Sequence, residues 1–275
     1  MTLSPSLRRI WLFLFLPLFL SGCEGSYTWG WHVIDPSTAQ GWDNISFLIG
    51  GLWGTIKISV IAIFLSMLIG LAISLPGLSR NKVFLAFNLG YVSIFRSIPV
   101  LVMVLWIYYG LPVILGLEMS VIMAGIVALA LCDSAFQAEI FRGGIQSIEI
   151  GQHEAADSMG LSYFQKMRLI ILPQAIRRII PPLGNQFVYM LKMSSLVSVI
   201  GYSDLTRRAN ELSVNEYRPL EIYSFLILEY LLLILLVAYA IRKVEKRLQA
   251  SEEKQNHPPR EATSSKGAQG AAPQN

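Results

Sequence analysis

Residues 147–173 read SIEIGQHEAADSMGLSYFQKMRLIILP, from Ser147 to Pro173. Ser147 is placed to cap a helix running through Ile148, Glu154, Ala155, Ala156 and Met159, which Gly160 ends by entering the left-handed conformation. Ser162, with Gln165 three residues on, makes a capping box for a second helix, and Pro173 interrupts that one. Two short helices in a sharp bend form a knob. The stretch lies within a polar connection from about Arg142 to Arg178, 37 residues long, where helices are usually joined by far fewer. The paired Ala155 and Ala156 let another surface approach the backbone, and Glu154 offers a charged contact. The same composition also fits a hairpin packed on its own bundle, with Glu154 paired locally.

On either side the chain becomes apolar. Of its 275 residues 53% are hydrophobic and only 15% charged, against about 25% charged in soluble domains, and the mean hydropathy is +0.51. These values describe a membrane protein and exclude disordered, collagen-like and disulfide-rich secreted chains. Cys23 and Cys132 sit in unlike contexts, which argues against a disulfide framework. Apolar spans are expected over about residues 51–79, 83–117, 120–141, 179–202 and 222–241, making five. The second is too long for one helix and too short for two, so it reads as a span preceded by an interfacial piece, broken near Arg96-Ser97-Ile98-Pro99. The fold class is therefore an all-α integral membrane protein with five transmembrane helices.

Orientation follows from Lys and Arg. Residues 24–50 and 110–120 contain none, whereas eleven flank the other connections: Arg80, Lys82, Arg142, Lys166, Arg168, Arg177, Arg178, Arg242, Lys243, Lys246 and Arg247. The N-terminus is expected outside and the C-terminus in the cytoplasm, with Arg207, Arg208 and Arg218 as an exception on the outer side. Residues 1–23 read as an export leader, with Arg8 and Arg9 before an apolar stretch of 11 and then Leu20-Ser21-Gly22-Cys23. The last four residues resemble a bacterial lipobox, so Cys23 is a candidate for lipidation; the alternative is an uncleaved signal anchor. Residues 24–50 form an outer segment with Trp29, Trp31 and Trp42, suited to the membrane interface or to docking. Residues 249–275 are expected to be a disordered cytoplasmic tail.

Ionisable groups within apolar spans usually face the bundle interior or a wet cavity. Asp133 is the first candidate for contact with a polar or cationic substrate, the alternative being an internal ion pair with Lys192. Glu139 and Arg142, three residues apart, are expected to pair, and Glu229 to meet a neighbouring span. Arg96 is assigned to the helix break or the path. No nucleophile, metal or nucleotide-cradling spacing is present: a phosphate loop requires Gly-Lys, which this sequence lacks. No catalytic residue, metal site or nucleic-acid contact is expected.

The run Glu154-Ala155-Ala156, Gly160, Ile170 and Leu172-Pro173 resembles the EAA signature of membrane subunits of bacterial ATP-binding-cassette importers. Flanking residues sharpen the resemblance: Ala138 to Ile145, Gly151-Gln152, Ile180 to Asn185, Lys192-Met193-Ser194-Ser195-Leu196, and Phe95 to Pro99. Together they resemble the polar amino-acid branch, of histidine, glutamine, arginine and opine permeases, over about residues 50–247. The resemblance implies a type I importer permease fold over residues 51–248. The bend, from about 142 to 178, would be the coupling segment seated in a separate ATPase, with Gly151, Glu154, Ala155, Ala156, Gly160, Ile170, Leu172 and Pro173 at or shaping that contact. Asp133, Lys192, Ser194, Ser195 and Arg96 would line the path or gate. ATP and Mg would be held by the partner ATPase dimer, and no cofactor by this chain. A second permease copy or homologue, a periplasmic amino-acid-binding protein and membrane lipid complete the implied partners. Met193 departs from the acidic or polar residue of many relatives. An ion-coupled secondary transporter and a lipid-anchored scaffold are the competing classes.

Overall fold

The computed structural model describes residues 27–79 and 81–256, with side chains up to residue 247. The leader with Cys23, Arg80 and residues 257–275 lie outside the described residues. A 3-10 turn over Trp31–Ile34 precedes α1 (Ala39–Ile49) and α2 (Gly51–Gly77). Next come α3 (Lys82–Ser97), α4 (Val100–Leu105), a π-turn over Trp106–Gly110, and α5 (Leu111–Leu115). Long α6 (Val121–Gln146) leads into α7 (Ile150–Ser158), α8 (Tyr163–Lys166), a π-turn over Met167–Ile171, and α9 (Leu172–Met193). A 3-10 segment, Ser194–Ile200, then connects to α10 (Leu205–Glu216) and α11 (Pro219–Asn256). Residues 249–256, expected in the tail, are thus helical.

Side-chain size distinguishes the packed faces. The buried residues of α2 include Gly51, Thr55, Ser59, Ala62, Ser66, Gly70, Ser74 and Gly77. Those of α6 include Ala124, Ala128, Cys132, Ala135 and Ala138. These two helices make the most extensive contact in the bundle. The opposite side of α2 exposes Val60, Ile61, Phe64, Leu68, Leu71 and Leu75. Lipid offers no hydrophobic reward for joining two apolar helices, so close backbone approach along small residues supplies the attraction.

The three helices long and apolar enough to cross a membrane lie in Ala39–Gly77, Val121–Gln146 and Pro219–Arg247 among the described residues. Lys82–Ser97 and Val100–Leu115 make a fourth if taken as one span bent by 94°. That break falls at the expected place, where Ile98 adopts the extended conformation forced on a residue before proline. The remaining expected span, the fourth in chain order, corresponds to α9, which has a span's length but carries Gln174, Arg177, Arg178, Asn185 and Gln186. It begins seven residues earlier than expected and ends at Met193, where the 3-10 segment takes over. Pro173 does not break it: the Leu172 amide reaches back to the Met167 carbonyl, and this π-turn resets the ladder ahead of the proline. Leu111-Pro112 uses the same device, the Leu111 amide bonding to Trp106.

The exceptional arginines have local employment. Arg207 pairs with Glu211 at 2.6 Å, Arg208 donates to the Phe47 carbonyl at 2.7 Å, and Arg218 to the Thr28 carbonyl at 2.5 Å. Two of the three therefore fasten the N-terminal segment to α10 and α11. Asp204 caps α10, its Oδ1 accepting the Arg207 amide at 2.8 Å, while its buried Oδ2 has no hydrogen-bond partner among the described residues. Burial pushes its carboxyl up to about 6, against the backbone hydrogen bonds, which lower it. The folded state thus favours the protonated acid, and that stability is lost as pH rises through about 6. Thermal unfolding in detergent should show stability falling by about 1.4 kcal/mol between pH 5 and 7.5. Asp204→Asn, which keeps the cap, should flatten the profile; an unchanged slope would refute this origin.

Candidate functional site

The bend at residues 147–173 is built by local rules with one correction. Ser147 does not cap the short helix: α6 runs through Gln146, Ser147 closes its C-terminus, and Glu149 becomes the N-cap of α7. The Ser147 hydroxyl donates to Gly144 at 2.8 Å, and Arg178 donates to the Ser147 carbonyl. At the other end Gly160 has φ +71°. The Gly160 amide donates to the Asp157 carbonyl at 3.0 Å, and the Leu161 amide to Ala156 at 3.2 Å. This paired closure ends α7 sharply. The Ser162–Gln165 capping box then starts α8, and Lys166 pairs with Asp157 at 2.6 Å across the bend.

A small core fixes the knob to the bundle: Ile148, Ile171, Ala175 and Ile179 are buried together, with Ile145, Met167 and Ile170 against them. Ala156 is fully buried and faces this chain, whereas Gly151, Glu154, Ala155 and Gly160 are exposed. Leu172 and Pro173 are also exposed, at the return into α9. Glu154 forms no ion pair among the described residues. Ile150, Met159, Tyr163 and Phe164 are exposed beside it at 64 to 75%. The knob is therefore internally braced but presents a carboxylate and an apolar rim outward.

The second constellation lies halfway along α6. Asp133 is 4% exposed and accepts from Gln137 at 3.0 Å, from Ser66 of α2 and from Gln186 of α9. The alternative pairing with Lys192 is not formed; two amides and a hydroxyl hold the carboxylate. Sequence reading missed Ser66 and Gln186, because neutral polar residues at separations of 67 and 53 leave no local signal, and it missed Gln137 although that residue lies only one turn from Asp133 at i+4. Asp133 lies in a narrow recess bordered by Phe136, Tyr189, Met190 and Met193. Glu139 bonds to Arg96 rather than to Arg142, correcting the local i,i+3 expectation: the α3–α4 break brings Arg96 alongside α6. The Arg96 guanidinium also lies 4.8 Å from the Phe136 ring centroid. Ser194 and Ser195 donate back to Leu191 at 2.8 Å and Lys192 at 2.7 Å, while Lys192 is exposed. Among the described residues both Glu229 carboxylate oxygens are buried without hydrogen-bond partners, so none of these supplies its expected partner.

Residues 62–250 match the family described as "Binding-protein-dependent transport system inner membrane component". The chain belongs to this family. It is 40% identical over 209 residues to the probable glutamine ABC transporter permease protein GlnM of Bacillus subtilis, covering 76% of this chain and 96% of that protein. It is 36% identical over 212 residues to the glutamine transport system permease protein GlnP of Escherichia coli, covering 75% and 95%. Among solved structures, an amino acid ABC transporter crystallised with histidines superposes with a TM-score of 0.73 at 36% identity, over 80% of this chain and all of that one. An inward-facing methionine ABC transporter gives 0.66 at 22%, over 75% and 98%, and shows the shared fold.

The chain is thus a transport permease subunit with the type I importer fold, a multi-pass protein of the inner membrane. In such a subunit an exposed charge at membrane depth cannot face lipid cheaply. Arg96 and Glu139 have 42% and 36% of their side chains exposed, and Lys192 and Asn185 are exposed on α9. The Asp133 recess lies beside Arg96, whose guanidinium is 4.8 Å from the ring of Phe136, a residue that borders the recess.

Proposed function

We propose that this permease carries a polar amino acid from periplasm to cytoplasm, as one membrane half of an ATP-driven importer. The observation that carries the reading is the braced bend, with Glu154 and Ala155 outward and Gly160 in the left-handed conformation, at the spacing of the EAA signature. Gly151, Glu154, Ala155 and Gly160 seat against a separate ATPase, while Ile170, Leu172 and Pro173 shape the return to α9. ATP and Mg are bound by that ATPase dimer. The face marked by Arg96, Glu139 and Lys192 meets a second permease copy or homologue, with the path between them. A periplasmic amino-acid-binding protein delivers substrate to the end carrying α10, so the N-terminus lies outside, the bend lies in the cytoplasm, and five helices cross the membrane. Asp133 supplies the fixed negative charge that meets the substrate's ammonium group.

The test is uptake into proteoliposomes containing the ATPase, with the binding protein and a panel of cationic, neutral and acidic amino acids. Wild type should require ATP and prefer cationic or neutral polar substrates. In Asp133→Asn the amide oxygen replaces Oδ2, and a flip of Gln186 accepts the new donor, so charge is removed with the network kept. Uptake should fall at least about tenfold, the loss of roughly 1.4 kcal/mol of interaction. Unchanged uptake across the panel would reject the assignment of Asp133, and uptake driven by an ion gradient without ATP would reject the importer reading.

A further inference from the structure

Residues 27–34 are tied to the start of α11 by more bonds than a connecting segment needs. Glu221, fully buried, accepts the Tyr27 hydroxyl and, at 2.6 Å, the Gly30 amide. Arg218 donates to the Thr28 carbonyl at 2.5 Å, and its guanidinium lies 6.0 Å from the Tyr27 ring centroid. A Cβ at Gly30 would come within 2.6 Å of Arg218 Nε, so glycine lets the backbone lie on that side chain. Val33, 1% exposed, is buried with Leu48, Leu212 and Ile222. The fastened segment leaves its aromatic rings bare: Tyr27 is 43%, Trp29 63% and Trp31 46% exposed. Trp29 and Trp31 stack at 5.8 Å and 7°, with Tyr27 edge-on to Trp29 at 5.5 Å.

The lipid-facing stripes give the level of these rings. On α11 exposed apolar side chains run from Leu220 to Tyr239, about 28 Å of helix against a hydrocarbon core of about 30 Å. On α2 they run from Leu75 back to Trp53 and continue through Ile49 and Phe47 onto α1, beside the strap. Both stripes begin at the end to which the strap is hooked, by residues 218 and 221 on either side of Leu220. The ladder therefore lies at the boundary between hydrocarbon and headgroups, where tryptophan and tyrosine place an apolar body and a polar tip to advantage. Trp42 on α1, 59% exposed, lies close to the level of the strap, two residues before Asn44, which donates to the Val33 carbonyl at 2.9 Å.

We propose that residues 27–34 are an interfacial strap, with Tyr27, Trp29 and Trp31 seated among the phospholipid headgroups of the adjacent leaflet and fastening the ends of α10 and α11 to the bilayer surface. Residues 24–50 contain no Lys or Arg, so seating requires no anionic lipid and zwitterionic phosphatidylcholine suffices.

The test uses full-length single-tryptophan forms retaining Trp29 or Trp31, the others replaced by Phe, reconstituted in phosphatidylcholine vesicles, with free N-acetyltryptophanamide as the fully exposed reference. Trp29 and Trp31 should be quenched several-fold more by lipid brominated near the headgroup than at mid-chain, and far less than the reference by aqueous iodide. Glu221→Gln in the Trp29 form should raise iodide quenching toward that of the reference. Iodide quenching of Trp29 and Trp31 equal to that of the reference, with no effect of brominated lipid, would overturn the proposal. So would protection from iodide that arises only on adding the periplasmic binding protein. The readout is independent of uptake, so a strap in water on a working importer rejects this inference alone.

Discussion

Gly160→Glu should leave the chain inserted at normal abundance and reduce ATP-driven uptake to background. A Cβ at this position meets nothing within 4 Å, so no clash with the bundle arises. The penalty is in the backbone: φ is +71°, and a residue with a β-carbon held there costs about 1–2 kcal/mol. Relaxing that strain opens the closure through Gly160 and Leu161 and turns α8 relative to α7. The added carboxylate also stands at the C-terminal end of α7, where the helix dipole disfavours negative charge. A loss of about 2 kcal/mol at the ATPase contact weakens it roughly thirtyfold. Gly160→Asn, which tolerates the left-handed region, should retain most uptake. Pull-down from mild detergent, with ATPase activity measured in the eluate, gives a second readout: the partner ATPase should be recovered with wild type and Asn, and lost with Glu. Wild-type uptake and recovery in Gly160→Glu would refute the coupling assignment.

What the chain disclosed of this site depended on the range over which each decision is made. Gly160, Ser162 and Gln165 act within four residues of themselves, so the left-handed stop and the capping box were readable. Ser147 satisfies the same capping rule, yet α6 passes the expected end at Phe141 and consumes it as a terminator, because Ile145 and Ile148 pack with Ile171 and Ile179. Glu139 shows the same limit, since the 94° turn at Pro99 delivers Arg96 from another helix. Arg208 and Arg218 look like violations of the charge rule until their targets, Phe47 and Thr28, are brought near them in space. The polar residues that hold Asp133 carry no charge signal and arrive from three helices. Membrane insertion adds a further reason: α2 is apolar all round, so hydrophobic periodicity cannot identify its packed side. The size sequence Thr55, Ser59, Ala62, Ser66, Gly70, Ser74 and Gly77 does identify it, and it is visible in the chain once size replaces polarity as the variable.

Within that seam Gly70 is the glycine whose substitution should part α2 from α6. A Cβ there would lie 2.4 Å from Gln137 Cβ and 3.0 Å from both the Ala138 nitrogen and the Ser134 oxygen. Two of these three atoms are α6 backbone, which a rotamer change cannot move, so α2 itself must retreat. Gly70→Ala should cost about 1–3 kcal/mol by overpacking, and Gly70→Leu should prevent accumulation of folded protein. Gly90→Ala is the matched control: the site is helical with nothing within 4 Å, and removing a glycine there should stabilise by about 0.5–1 kcal/mol. Thermal unfolding of the detergent-solubilised variants ranks them, and equal stability of the two alanine variants would refute the seam as the source of cohesion. Gly70 lies one turn from Ser66 and against Gln137, both of which hold Asp133. Separation of α2 from α6 therefore reaches the buried carboxylate before it unfolds the bundle. Uptake per folded molecule of Gly70→Ala should fall with its stability, whereas Gly90→Ala should import at the wild-type rate.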